Sequence, residues 1–183
     1  MSQKDKYIQD IQSKIEMLDK LVFLDNGEQK TRYINSLKTW LVESTTKNYF
    51  IKENPKKEIV HRYKQNVYWI DFGVNIGSEF NYPHFAVVLK EFKYTAIVIP
   101  LSTIKEDDPE WKSAGNYIID IGCIKDMPNE KKPCYALVNQ IKTVSKQRLS
   151  DYKYQGKFYS IKLDDDQMKV LCEAIGSLGK FNK

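Results

Sequence analysis

The chain has 183 residues, 42% of them hydrophobic and 29% charged, with a net charge of +5. This composition describes a globular protein with enough apolar residues for a core, and it excludes a disordered or low-complexity chain. The charge excess is below that of a dedicated nucleic-acid binder, and three cysteines without CxxC spacing indicate neither a zinc site nor a disulfide framework.

The N-terminus leads into an amphipathic segment, and no stretch approaches the roughly twenty apolar residues of a membrane span. The sequence therefore predicts a protein that is neither exported nor membrane-spanning, with reduced thiols in a cytoplasmic setting. Residues 4–23 read as a helix, because Ile8, Ile11, Ile15, Leu18 and Val22 fall at 3-4-3-4 spacing on one stripe. Asp25-Asn26-Gly27 is a break. A second helix is predicted from Glu28 to about Thr45, with Ile34, Leu37, Trp40 and Leu41 on one side. The two would form a helical hairpin over residues 1–48, with too little core to stand alone. Its stripes should bury against the rest of the chain, a second copy or a partner. A polar, lysine-rich linker over 49–66 follows.

From residue 67 the pattern is that of strands. They are predicted at 67–72, 85–89, 94–99 and 116–121, then at 135–138 continuing through 140–144, with a short one at 157–161. Their continuous apolar runs imply burial on both faces. A closing helix has Asp164 as N-cap, Asp165 and Asp166 at the positive end of its dipole, and Met168, Leu171, Cys172, Ile175 and Leu178 as its buried stripe. The whole reads as an α+β fold: a small, strongly bent sheet or barrel over 67–180 with a C-terminal helix, preceded by the hairpin. The charge is concentrated late. Residues 142–162 carry six of the Lys and Arg residues against one acid, Asp151, interleaved with Tyr152, Tyr154, Phe158 and Tyr159. That pattern fits a polyanion partner or a solvated basic face.

Several elements carry a resemblance through their order and spacing. They are the strand Tyr68-Trp69-Ile70-Asp71-Phe72, the loop Gly77-Ser78-Glu79, the strand Ala86-Val87-Val88-Leu89, the strand end Ile99-Pro100-Leu101-Ser102-Thr103, the segment from Asn139 to Leu149 and the closing helix. Over residues 65–178 the chain resembles the PemK/MazF family of bacterial toxins. The resemblance implies an SH3-like barrel, usually a homodimer, and an endoribonuclease held inactive by a cognate antitoxin protein. The implied substrate is single-stranded RNA, whose own 2′-hydroxyl attacks the adjacent phosphodiester without metal or cofactor. Such a reaction needs a base, an acid and donors for the phosphorane charge.

By the same resemblance, His84 occupies the place where the family commonly has an Arg followed by Pro. It would act there as general acid or base, with less charge stabilisation than an Arg provides. Ser102 or Thr103 matches the family's hydroxyl, a donor to a phosphate oxygen. Asn139 stands where an Asp or Glu is usual and can only hydrogen-bond a base or a ribose. Glu79 would act as the base or hold its loop. Ser78, Asn139, Gln140, Lys142, Lys146 and Arg148 would contact RNA. With the Arg and the acid replaced, a second function stays open: a catalytically weakened member that binds RNA or a protein.

Overall fold

The computed structural model describes residues 9, 13, 16, 17, 27–75, 77–103, 117–128 and 132–178. The chain divides into two compact units, Met1–Thr46 and Lys47–Lys183. Most of the predicted first helix, its apolar stripe included, lies outside the described residues; Gln9, Ser13, Glu16 and Met17 are helical.

Helix α1 spans Gly27–Glu53 and passes the expected end at Thr45. Nothing between Thr45 and Glu53 stops it, because neither Gly nor Pro occurs there. It ends where Asn54 precedes Pro55, a step that disfavours helical backbone, and a 3-10 turn follows at Pro55–Glu58. No residue of α1 is buried. Ile34 and Leu37 are half-buried, whereas Trp40 and Leu41 are exposed.

Among the described residues the second unit holds nine strands: β1 Asn66–Asp71, β2 Pro83–Glu91, β3 Thr95–Thr103, β4 Ile118–Cys123, β5 Pro133–Leu137, β6 Lys142–Ser145, β7 Tyr152–Tyr154, β8 Lys157–Tyr159 and β9 Ile161–Lys162. The predicted fifth strand is two strands, since the 3-10 turn Val138–Gln140 interrupts it. Both halves still pair with β3, β6 along Thr95–Val98 and β5 along Leu101–Thr103. The main sheet runs β4-β5-β3-β2-β1-β9. It curls back on itself: after β6, Ser150 exchanges two backbone hydrogen bonds with Trp69 on the outer edge of β1, 2.8 and 2.9 Å long. A bulge between Val88 and Lys90 in β2 supplies part of the bend.

Both faces of the sheet are buried, as the continuous apolar runs require. On one face Tyr68, Ile70, Phe72, Ala86, Val88, Val98, Val144 and Leu149 fill the inside of the curl. On the other, Val67, Val87, Ile99, Leu101 and Ala136 meet the closing helix α2, Asp165–Leu178, through Met168 and Leu171. Ala174 and Ile175 are partly buried against the same core, whereas Cys172 and Leu178, expected in that stripe, are exposed. The start of α2 is a reciprocal cap. The Gln167 amide N–H donates to Asp164 Oδ1 at 2.8 Å and the Asp164 N–H donates to Gln167 Oε1 at 3.0 Å. Gln167 Nε2 also donates to the carbonyls of Ile121 (2.7 Å) and Cys123 (3.1 Å), tying the helix to β4. Gln167→Ala is therefore expected to cost about 1–2 kcal/mol, measured by urea unfolding, more than an isolated cap would.

Strands β7 and β8 form a separate ribbon. Gln155 and Gly156, both at positive φ, make its tight turn. The base of the ribbon is anchored by Tyr152 against Phe85 and Trp69, with ring centroids 4.8 and 5.4 Å apart. Its outer part exposes Phe158 and Tyr154, with Lys153 lying over the Phe158 ring.

Candidate functional site

Cross-strand register sets the site. Ile70 pairs with His84, and Ser102 pairs with Tyr135. His84 and Ser102 flank the register pair Phe85–Leu101 on adjoining strands, so they are neighbours on one face of the sheet. A cavity of about 470 Å³ opens there, lined by Ser78, Phe80, His84, Ser102, Tyr117, Ile118, Tyr135, Leu137, Asn139 and Gln140. Thr103 pairs with Cys134 one residue further on and does not line the cavity. The alternation of a strand thus separates the two candidate hydroxyls, and Ser102 is the one on the cavity. The 3-10 turn Val138–Gln140 brings Asn139 and Gln140 to the rim. The cavity is apolar at its sides, through Phe80, Tyr117 and Tyr135, and polar at a few points. That is the character of a site which holds a planar group by stacking and orients it by hydrogen bonds.

The loop between β1 and β2 brings Ser78 and Phe80 to the same cavity. Its ends are tied by Phe72 N–H to Tyr82 C=O (3.1 Å) and Tyr82 N–H to Gly73 C=O (2.9 Å). Inside it, Asn75 Nδ2 donates to the Phe80 carbonyl at 2.7 Å, and the Asn75 N–H donates to Asn81 Oδ1 at 2.5 Å. Glu79 does not line the cavity; it lies 3.4 Å from Lys142 Nζ, with 56% of its side chain exposed. A pair so open to water is weak, and it joins this loop to β6.

Two of the expected RNA contacts are used elsewhere. Lys146 is 1% exposed, and its Nζ lies 2.7 Å from Glu91 Oε1. An ammonium enclosed in this way cannot reach a nucleic-acid backbone, so the expectation for Lys146 is corrected. Arg148 Nη2 donates to the Asp71 carbonyl at 2.5 Å, at the C-terminal end of β1. The Glu91 carboxyl is held below its ordinary range, first by the hydrogen bond from Lys146, against the opposing effect of burial, with help from the Arg62 amide. Cys134 Sγ is buried beside Met127 Sδ, and burial pushes its thiol up to about 11, so it stays protonated and inert.

Residues 63–178 match the family of PemK-like, MazF-like toxins of type II toxin-antitoxin systems. The chain belongs to this family. A crystal structure of MazF (Form-I) from Deinococcus radiodurans is similar at 12% sequence identity, with a TM-score of 0.45, over 65% of this chain and 96% of that one. No curated protein matches. Membership supports, at the level of the family, a toxin with endoribonuclease activity, an RNA substrate and an antitoxin partner. Among the described residues no helix is long and apolar enough to cross a membrane.

Within the PemK/MazF frame, the structure gathers Ser78, His84, Ser102, Asn139 and Gln140 at one cavity, and leaves Thr103, Glu79, Lys142, Lys146 and Arg148 off its lining. Sequence reasoning missed Phe80, Tyr117, Ile118, Tyr135 and Leu137. The one available signal for Tyr135 was its position in a strand, and only the register with Ser102 turns that into a place in the site.

Proposed function

We propose that this chain is a metal-independent endoribonuclease toxin that cuts single-stranded RNA by attack of the substrate's 2′-hydroxyl on the adjacent phosphodiester. The observation that carries the proposal is the placement of His84 and Ser102 side by side on the cavity, with Asn139 on its rim. The roles follow from the side chains. His84 moves a proton between the 2′-hydroxyl and the leaving 5′-oxygen, and Ser102 donates to a phosphate oxygen as charge develops. Asn139 hydrogen-bonds a base or ribose, while Phe80, Tyr117 and Tyr135 stack the unpaired base. Glu79, paired to Lys142, holds the loop and does not act as the base.

The expected RNA path along 142–162 narrows to the β7–β8 ribbon. There Lys153, Lys157, Tyr154 and Phe158 offer charge and exposed rings to a single strand, and Phe158 is 64% exposed. Family membership further supports a homodimer and an antitoxin that covers the RNA groove.

A second reading is favoured by one observation: no carboxylate and no Arg lines the cavity among the described residues. On that reading the chain binds RNA or a protein without cutting. Incubation of the full chain with single-stranded RNA in EDTA separates the two. Cleavage supports the nuclease, and tight binding without cleavage supports the binding module.

A further inference from the structure

Both backbone groups of Phe80 are held, each from a different direction. Its carbonyl accepts from Asn75 Nδ2 at 2.7 Å, within its own loop. Its N–H donates to Gln140 Oε1 at 3.1 Å, across 60 residues of sequence. Gln140 Nε2 donates in turn to the Ser78 carbonyl at 3.4 Å. A backbone N–H can only donate, so the amide oxygen of Gln140 must face Phe80 and its nitrogen must face Ser78. The Phe80 ring rests on His84, with centroids 4.3 Å apart, and meets Phe72 edge-on at 5.3 Å. A further tether of this loop to the late segment, Lys142 to Glu79, is 3.4 Å long and exposed. Gln140 is half-buried, and its bond to the Phe80 N–H is part-buried and so screened less, whereas its bond to the Ser78 carbonyl is exposed.

We infer that Gln140 is a positioning residue: through its hydrogen bonds to Phe80 and Ser78 it fixes the loop that sets the Phe80 ring against His84, and so fixes the His84 imidazole on the cavity. The inference rests on the reading of the cavity as the RNA-cleaving site. Its consequence is mechanical. Asn139 and Gln140 share one 3-10 turn, so a ligand held at Asn139 pulls on the element that orients His84. The late segment acts on the reaction without touching the scissile phosphate through Gln140.

The test is NMR on the full chain, which needs no substrate. In Gln140→Ala the Phe80 amide is expected to exchange with solvent about tenfold faster, the size of one lost hydrogen bond. The His84 ring resonances should shift as the Phe80 ring, tilted at 52° against the imidazole, withdraws. Gln140→Glu keeps the acceptor for Phe80 and loses the donor to Ser78, so it is expected to retain Phe80 protection and shift His84 less. If Gln140→Ala fails to fold, Gln140→Glu decides by whether Phe80 stays protected while Ser78 is released. Unchanged His84 resonances in Gln140→Ala, or equal effects of the two variants, overturn the inference. In cleavage assays kcat should fall more than KM rises. Wild-type protein that cuts no RNA would overturn the nuclease reading and leave the NMR result standing.

Discussion

Glu91→Ala is expected to destabilise the protein by about 3 kcal/mol, the low end of the range for breaking a buried ion pair. The reason is the partner left behind. Lys146 is 1% exposed, and its ammonium has Glu91 Oε1 at 2.7 Å. Without the carboxylate, an enclosed charge loses the counter-ion it has among the described residues. The low end applies because a quarter of the Glu91 side chain faces water. Replacing the charge itself has the opposite consequence: Lys146→Met, similar in volume, is expected to be near neutral or stabilising. Thermal or urea unfolding of both variants checks the pair. Glu91→Ala as stable as wild type would show that water reaches the ammonium.

The same pair sets a pH dependence. The folded-state carboxyl of Glu91 is depressed, chiefly by the hydrogen bond from Lys146. Its contribution is therefore present above the unfolded value, about 4.3, and is lost as pH falls below that toward the folded value. Glu91→Gln should lose less stability than wild type over that acid window. Equal losses would place the acid sensitivity at other carboxylates.

The limits of the sequence are clearest at such residues. Lys146 sits in a run of basic residues interleaved with tyrosines, and charge counting assigns it to a basic face. Nothing local reveals that Glu91, 55 residues earlier, arrives beside it. Arg148 is similar, drawn to a carbonyl of β1 that only the curl of the sheet brings near. Strand positions were legible because Val, Ile and aromatic residues cluster at 67–72, 85–89 and 94–99. The break at Val138–Gln140 was not, since its residues fit either a strand or a turn. The end of α1 lies beyond the expected one because the apolar spacing of the helix fades after Leu41, yet neither Gly nor Pro occurs between there and Pro55. The cavity was half legible. Motif order led to His84, Ser102 and Asn139, whereas Phe80, Tyr117 and Tyr135 join them through register and loop closure.

His84→Ala carries the largest expected effect on activity. Loss of a positioned acid–base group lowers the rate by about 10²–10⁴-fold. The upper part of that range applies here, because no other titrating side chain except tyrosine lines the cavity among the described residues. Ser102→Ala should cost less, since Tyr135 is its register partner on the same face and both line the cavity. Thr103→Ala, off the lining, should leave cleavage near wild type. Equal losses in Ser102→Ala and Thr103→Ala would show that the cavity face is not the reacting face. His84→Arg places a fixed cation on the cavity, and is expected to keep more activity than His84→Ala.

On the proposed mechanism this chain cuts RNA through the substrate's own 2′-hydroxyl. This is tested most directly with a single-stranded RNA that the protein cuts in EDTA and a copy with a 2′-deoxy nucleotide on the 5′ side of the cut. The expected result is a 2′,3′-cyclic phosphate end on the first RNA and no cut at that position in the second. Cleavage of the deoxy-substituted strand at the same bond, or no cleavage of any RNA, would contradict it.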